Sequence, residues 1–315
     1  MKIVQSLYTG SFVNQDKLNF DNTTTLSGYN NSKLYWYTWI RSLFSFLEQG
    51  HTVELVTDEI GKELLVNRLG LPYSTVNTCL NEINSISKYN WTIGKLKAYS
   101  IQEQPFLHFD NDAYFVKSIP EISQPLYIQE VVKRSSNSDD LHLNACKDIL
   151  LNFENCPVQF KNFYDSFNKN QDSYTCIAGV LGGNDIELLR TYSKTIYDFM
   201  FINREKIDLF LQNKSQIYIT YFLSFLEEQM LMQFYLEKYN SLDHIQAPLG
   251  IVDKTSNNYT TILEQRSEES GFVHFMSRIK IGQDSRAVEY RKRFMAKTEQ
   301  KYPEYCELIN IYLNN

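Results

Sequence analysis

The sequence predicts an α/β protein, a mostly parallel sheet flanked by helices, with a helical C-terminal tail. Three observations predict it. Strand-like and helix-like apolar patterns alternate from the first residues onward. Capping residues and glycines punctuate that alternation where helices should start and stop. A short apolar run, Phe106-Leu107-His108-Phe109, ends abruptly in Asp110-Asn111-Asp112, and open α/β sheets bind ligands outside the carboxyl ends of their strands.

Lys2 to Leu7 reads as the first strand, running into a Thr/Gly/Ser loop at 9–11. The Asn/Thr-rich stretch 14–31 has few apolar residues and reads as a loop over the site. Leu34, Trp36, Tyr37, Ile40, Leu43, Phe44 and Leu47 recur at helical spacing, and Gly50 stops that helix. Val53 to Thr57 is a second strand. Asp58 caps a helix over 59–69 that ends at Gly70. Strand, helix, strand, helix is the signature of parallel pairing with helical crossovers.

Segment 91–103 reads as a helix carrying Trp91, Lys95 and Lys97, ahead of a strand at 105–109. Phe115 to Ile119 continues after a turn, Leu126 to Gln129 is another strand, and 134–140 is a polar loop. From 141 to 170 the chain reads as helical with an aromatic face. Tyr174 to Leu181 is a strand leading to Gly182-Gly183-Asn184, and Asp185 opens a helix to about 203. A long apolar helix over 216–239 contains Glu227 and Glu228. After 249 a strand, a polar loop (253–260) and another strand precede Gly271-Phe272-Val273-His274. A charged helical tail closes the chain at 285–315.

Composition narrows the class. At 315 residues and 43% hydrophobic content the chain can bury a full core. Twelve glycines and seven prolines are too few for a collagen-like or low-complexity chain. A net charge of −6 argues against a nucleic-acid partner. The five cysteines, at 79, 146, 156, 176 and 306, contain no CxxC pair. That spacing fits neither a zinc knuckle nor a disulfide scaffold, and points to thiols in a reducing compartment. Met1 to Tyr8 has no long apolar stretch of the signal-peptide kind, and no window approaches 18 apolar residues. No transmembrane segment and a cytoplasmic location are therefore expected.

Four features carry the candidate chemistry. In a strand, residues two apart face the same way, so Asp110 and Asp112 reach one point past the strand end. Two such carboxylates repel unless a cation lies between them, and oxygen ligands favour magnesium or manganese. A solvated turn is the bland alternative. Ala178 to Asn184 is glycine-rich enough for backbone to approach a ligand closely, although the segment alone reads better as a plain strand-to-helix turn. Glu227 and Glu228 lie in an apolar helix, so one of them should face inward as a candidate base, the other reading being an exposed face. His274 can complete a metal site and Lys280 can neutralise a phosphate, although a lone His reads more often as a satisfied structural residue. The basic residues Arg286, Arg291, Lys292, Arg293 and Lys297 read as a solvated helix face balanced by Glu289, Glu299 and Glu304.

Taken together, these residues resemble the nucleotide-sugar glycosyltransferases of the GT-A fold, in the glycogenin-like, galactosyltransferase-like branch. Phe106 to Asp112 matches the family's DxD segment, and Ala178 to Gly183 its acceptor-side turn. Glu228-Gln229 falls where the fold carries an acidic or amide residue. Val273-His274-Phe275 with Lys280 matches the late metal-binding histidine and diphosphate-binding lysine, and Trp91, Lys95 and Lys97 fit the layout before the DxD strand.

The resemblance implies a GT-A-like domain over 1–284 and a helical tail over 285–315. It implies a metal-dependent glycosyltransferase that moves a sugar from a nucleotide-diphosphate donor, a UDP-sugar, to a hydroxyl acceptor that is a glycan, a peptide or a small molecule. Mn2+ or Mg2+ would be held by Asp110, Asp112 and His274. Tyr8 and Thr9 would lie near the base, and Lys95, Asp110, Asn111, Gly182, Gly183, Asn184 and Lys280 would contact the donor. An inverting reaction would make Glu228 (or Glu227) the base for the acceptor hydroxyl. A retaining one would leave that position to stabilise positive charge at the anomeric carbon. Two other classes compete. A metal-dependent nucleotidyltransferase would bring a phosphate loop or more histidines, whereas the chain has no GxxxxGK[ST] and only five His. An inactive scaffold of the same fold is opposed by the presence of Asp110, Asp112, His274 and Lys280.

Overall fold

Alternating apolar periods produce the α/β order that the sequence predicts. A computed structural model describes residues 1–11, 29, 31–83, 91–134, 140–168, 173–253, 259–275, 280 and 282–314. Its strands are β1 (Lys2–Leu7), β2 (Thr52–Thr57), β3 (Thr75–Asn77), β4 (Phe106–Phe109), β5 (Ala113–Phe115), β6 (Leu126–Arg134), β7 (Ser173–Gly183), β8 (Ile245–Gln246), β9 (Ile251–Asp253) and β10 (Phe272–His274). The helices before β10 are α1 (Ser32–Leu47), α2 (Glu59–Lys62), α3 (Thr92–Ser100), α4 (Leu141–Asn152), α5 (Val158–Asn168), α6 (Ile186–Ile202), α7 (Arg204–Leu211), α8 (Gln216–Ser224), α9 (Met230–Tyr239) and α10 (Tyr259–Ser270). Two more, Ser285–Lys301 and Pro303–Asn314, make the C-terminal end helical. The fold class is α/β, with mostly parallel strands flanked by helices.

The chain divides into two compact units. The first comprises Met1–Lys88, Phe109–Ile119 and Gly271–Asn315. Within it β1 pairs in parallel with β2, from Lys2↔Thr52 to Leu7↔Thr57, and β2 pairs in parallel with β3. A separate antiparallel pair joins β10 to β5. Asn31 caps α1 by accepting from the Leu34 N–H at 2.9 Å, and Gly50, at φ +78°, ends that helix as expected. The α1 face that carries Trp36, Trp39, Leu43 and Phe46 is buried, and the Phe46 ring lies 4.5 Å from that of Phe109. Apolar burial on this scale, roughly 1.5–3 kcal/mol per large side chain, fixes α1 over the strand ends. The C-terminal helices share this unit. Tyr302 stacks on Phe44 at 4.6 Å and donates to Glu48 at 2.7 Å.

The second unit comprises Tyr89–His108 and Pro120–Ser270. Here β6 pairs antiparallel with β7, with a register shift between Ile128 and Glu130, and in parallel with β8 and β9. Rings of Phe153, Phe160, Phe199, Phe222 and Phe225 form its helical core.

Some elements differ from the sequence reading. Of the helix expected over 141–170, the described residues 141–168 form two helices, α4 and α5, because Asn155 turns left-handed (φ 55°) and Pro157 lacks an N–H. The strand expected before Gly271 is helix α10 instead. Its β-branched opening, Thr260-Thr261-Ile262, is outweighed by the helix-forming Leu263 to Glu269. The strand expected over Phe115 to Ile119 is β5, which stops at Phe115 because its partner β10 spans only Phe272–His274. The tail is two helices, broken at Tyr302 by the proline that follows. The helix over 216–239 contains a π turn at Phe225–Gln229, and α2 continues as a π turn over Glu63–Arg68. Glu299 pairs with Lys33 at 2.7 Å, outside the tail that it was expected to balance, whereas Glu289 pairs with Arg293 within it. Residues 14–28 and 30 of the expected site loop, 135–139 and 254–258 lie outside the described residues. None of the five cysteines forms a disulfide. Among the described residues no helix is long and apolar enough to cross a membrane.

Candidate functional site

The first unit gathers Asp110, Asp112 and His274, each offering one ligand atom, with all three atoms within 4.8 Å of one another. Strand alternation does not produce this convergence, contrary to the sequence argument. The strand ends at Phe109, and Asp110 to Asp112 form a turn closed by the Ala113 N–H donating to the Asp110 carbonyl at 3.0 Å. The antiparallel pair then aligns His274 with Ala113, and the Phe275 N–H donates to the Asp112 carbonyl at 3.0 Å. Ser42 of α1 ties the turn by donating to the Ala113 carbonyl at 2.7 Å.

Asp112 is the centre of the cluster and is only 2% exposed. Nζ of Lys280 lies 2.6 Å from its Oδ2, and Nε2 of His274 lies 3.4 Å from its Oδ1. The Tyr29 hydroxyl donates to Oδ2 at 2.9 Å. Burial opposes ionisation of Asp112, but the Lys280 charge, followed by His274, holds its carboxyl well below the usual carboxylate range. Burial, reinforced by Asp112, pushes the Tyr29 phenol far up, so Tyr29 acts as a donor. Asn111 points its amide at Thr38, donating at 3.0 Å. Two carboxylates and one imidazole are a hard-to-borderline donor set that fits a divalent cation.

Tyr8 and Thr9 also belong to the first unit. Tyr8 donates to the Ile83 carbonyl at 2.6 Å. Thr9 gives both its N–H and its hydroxyl to Oδ2 of Asp58, at 2.7 and 2.8 Å. Oδ1 of Asp58 accepts from the Gly61 N–H and so caps α2, as the sequence reading expects. Burial raises the Asp58 carboxyl despite these donors.

The second unit brings Lys95, Glu227 and Glu228 into a polar network. Glu227 is 1% exposed, and its Oε1 accepts from Tyr99 at 3.0 Å and pairs with Lys95 at 3.2 Å. Lys95 also lies over the Trp91 ring at 5.2 Å. Glu227 is therefore the inward-facing member of the pair. Glu228 is partly exposed and accepts from the Ala178 N–H at 3.0 Å and from Ser224 at 2.5 Å. Ser224 in turn lies 3.1 Å from Nε2 of His142. The π turn carries both glutamates, an arrangement frequent at functional sites.

Gly182 and Gly183 meet protein backbone. A Cβ on Gly182 would lie 1.9 Å from the Phe106 carbonyl oxygen, and one on Gly183 would lie 2.1 Å from that of Pro125. Gly183 also sits at φ +144°, where side chains are rarely found. Asn184 is exposed and donates to the Ile122 carbonyl at 3.0 Å.

Sequence reasoning missed Tyr29, Asp58, Tyr99, His142 and Ser224. Asp58 was read only as a cap. Tyr29 sits in a stretch with no apolar period, and the others are ordinary helix residues until Tyr99 meets Glu227 and His142 meets Ser224 in the folded chain.

Among solved structures the chain is similar to the glycosyltransferase GlyE of Streptococcus pneumoniae TIGR4, at 12% identity and a TM-score of 0.40. That match covers 99% of this chain and 63% of GlyE, so the chain spans less than two thirds of that relative's length. It is similar to the galactosyltransferase LgtC, solved with donor and acceptor sugar analogs, at 10% identity and a TM-score of 0.41 over 94% and 96% of the two chains. It is also similar to the inositol-1-phosphate CTP transferase from T. maritima, at 11% identity and a TM-score of 0.32 over 95% and 96%. No curated protein matches the sequence. Residues 1–311 match a family described as of unknown function, DUF6734, and the chain belongs to that family.

Proposed function

We propose that the protein is a metal-dependent glycosyltransferase that takes a sugar from a nucleotide-diphosphate donor, a UDP-sugar, and gives it to a hydroxyl acceptor. The observation that carries the reading is the convergence of Asp110, Asp112 and His274, with the Lys280 ammonium on Asp112. A site built from paired carboxylates, one imidazole and an adjacent cation suits a ligand made of a divalent ion and a diphosphate. The resemblance of the Phe106–Asp112 and Val273–Lys280 segments to the GT-A pattern gives that ligand a sugar.

Asp110, Asp112 and His274 would hold Mn2+ or Mg2+. When bound, the ion supplies Lewis-acid stabilisation of a departing diphosphate. Lys280 adds a positive charge for the same leaving group. Asn111 is tied to Thr38 and stiffens the turn between the two carboxylates. Tyr8 and Thr9 line the end of β1, where the base of the donor would lie. Glu228 carries the acceptor chemistry. Ala178 N–H and Ser224 hold its carboxylate in one orientation, ready to take the acceptor proton or to face positive charge at the anomeric carbon.

The test is a thermal-shift measurement with UDP and GDP, each with and without manganese. A nucleotide at a hundredfold excess over its dissociation constant should stabilise the protein by about 2.7 kcal/mol. A shift with UDP that requires manganese is the expected result. No shift with any nucleotide–metal pair would remove the transferase reading.

A further inference from the structure

We infer that Lys280 is an exchangeable counter-cation, seated on Asp112 in the ligand-free protein, which a divalent ion must displace and a diphosphate then receives. The inference rests on the proposed metal–diphosphate reading and adds a coupling between the two ligands.

Both oxygens of Asp112 are engaged. Oδ2 takes the Lys280 ammonium at 2.6 Å and the Tyr29 hydroxyl at 2.9 Å, and Oδ1 faces Nε2 of His274 at 3.4 Å. A divalent ion of this class binds carboxylate oxygen at about 2.0–2.2 Å. An ammonium left on the same carboxylate would then stand only a few ångströms from a double positive charge. In a site this buried their repulsion is weakly screened. Asp112 therefore holds either Lys280 or the ion well, and not both.

Lys280 has somewhere to go. Its flexible four-carbon stem can reorient without moving the backbone. Its ammonium lies 4.9 Å from the centre of the Tyr29 ring, whose face attracts a cation without competing as a carboxylate would. The anionic oxygens of a diphosphate offer a stronger partner than the ring. Tyr29 thus acts as a positioning residue, holding Lys280 beside the metal ligands. Metal without diphosphate leaves Lys280 without its carboxylate, and diphosphate without metal leaves Lys280 shared between two anions. Bound together, the two ligands satisfy every charge. The coupling is reciprocal, so each ligand should tighten the other by the same factor.

Manganese binding to the full chain, followed by the EPR signal of free Mn2+, tests this with no turnover. Without nucleotide, Lys280→Met should bind Mn2+ about tenfold more tightly than the native protein, because the competing charge is gone. UDP should tighten Mn2+ binding strongly in the native protein and much less in the variant. Equal or weaker Mn2+ affinity in Lys280→Met without UDP would overturn the exchange. Amine-reactive labelling of the native protein, read at Lys280 by mass spectrometry, answers even where the variant does not fold. Mn2+ alone should raise the labelling rate of Lys280, and Mn2+ with UDP should lower it again. A rate unaffected by bound Mn2+ would overturn the exchange and leave the transferase reading in place. Failure of native protein and variant alike to bind Mn2+, with or without UDP, would instead defeat the metal reading itself, and the exchange with it.

Discussion

Nζ of Lys95 lies 3.2 Å from Oε1 of Glu227, a carboxylate that is 1% exposed and also accepts from Tyr99. The pair is a structural commitment of the second unit. Losing one partner leaves the other charged and largely buried. Glu227→Ala should therefore destabilise the protein by about 3 kcal/mol, and Glu227→Gln by less, because the amide still accepts from Tyr99. Urea denaturation measures both. A loss below about 1 kcal/mol in Glu227→Ala would mean that solvent screens the pair as it does at a surface.

Glu228 differs from its neighbour in having a partly exposed carboxylate, held by the Ala178 N–H and by Ser224. Glu228→Gln should lower sugar transfer, or slow donor hydrolysis without acceptor, by about a hundredfold or more. Donor binding, measured by calorimetry, should change little. Full activity in that variant would take Glu228 off the catalytic list.

Asp112→Ala removes the carboxylate on which Lys280, His274 and Tyr29 all converge. Manganese-dependent binding of UDP should be lost in this variant. Calorimetric titration of UDP with and without Mn2+ decides the point, and an unchanged affinity would refute Asp112 as a metal ligand.

Gly182 leaves no room for a side chain, since a Cβ would lie 1.9 Å from the Phe106 carbonyl oxygen. Gly182→Ala should cost about 2–3 kcal/mol through backbone displacement. A circular-dichroism melt or urea titration that shows native stability would place the close approach elsewhere.

Asp185 caps α6 by accepting from the Leu188 N–H at 3.0 Å, and it also meets Tyr239 at 2.6 Å and Lys238 at 2.7 Å. Burial works against its ionisation, but Lys238, Tyr239 and the Leu188 N–H outweigh it and hold the carboxyl below its ordinary value of 3.8. A depressed folded pKa contributes stability that is present above the unfolded value and lost as pH falls below it. Asp185→Ala should cost about 1 kcal/mol at neutral pH. The gap between native and variant protein in urea midpoint should close below pH about 4, and a gap that stays constant to pH 3 would leave only a charge-independent packing effect.

The α/β class and most elements are legible in the sequence, because periodicity, caps and stop glycines are local signals. Asp58 and Asp185 each cap the helix that follows them, and Gly50 and Gly70 turn left-handed where the helices end. The sequence also singled out Asp110, Asp112, His274 and Lys280. It misjudged residues whose local preference is overruled, as in α10, where a β-branched opening sits in a helix. The folded arrangement was needed to show that a turn, and not strand alternation, aims the two aspartates together, and that the β5–β10 pair delivers His274 to them. It alone shows that Tyr29 and Lys280 share one oxygen of Asp112, and that Glu227 faces Lys95 while Glu228 faces Ser224. Apart from Glu228 and Ser224, which are four residues apart on one helix, these are contacts between residues far apart in the chain. No local pattern encodes them, because they exist only once burial has brought their elements together.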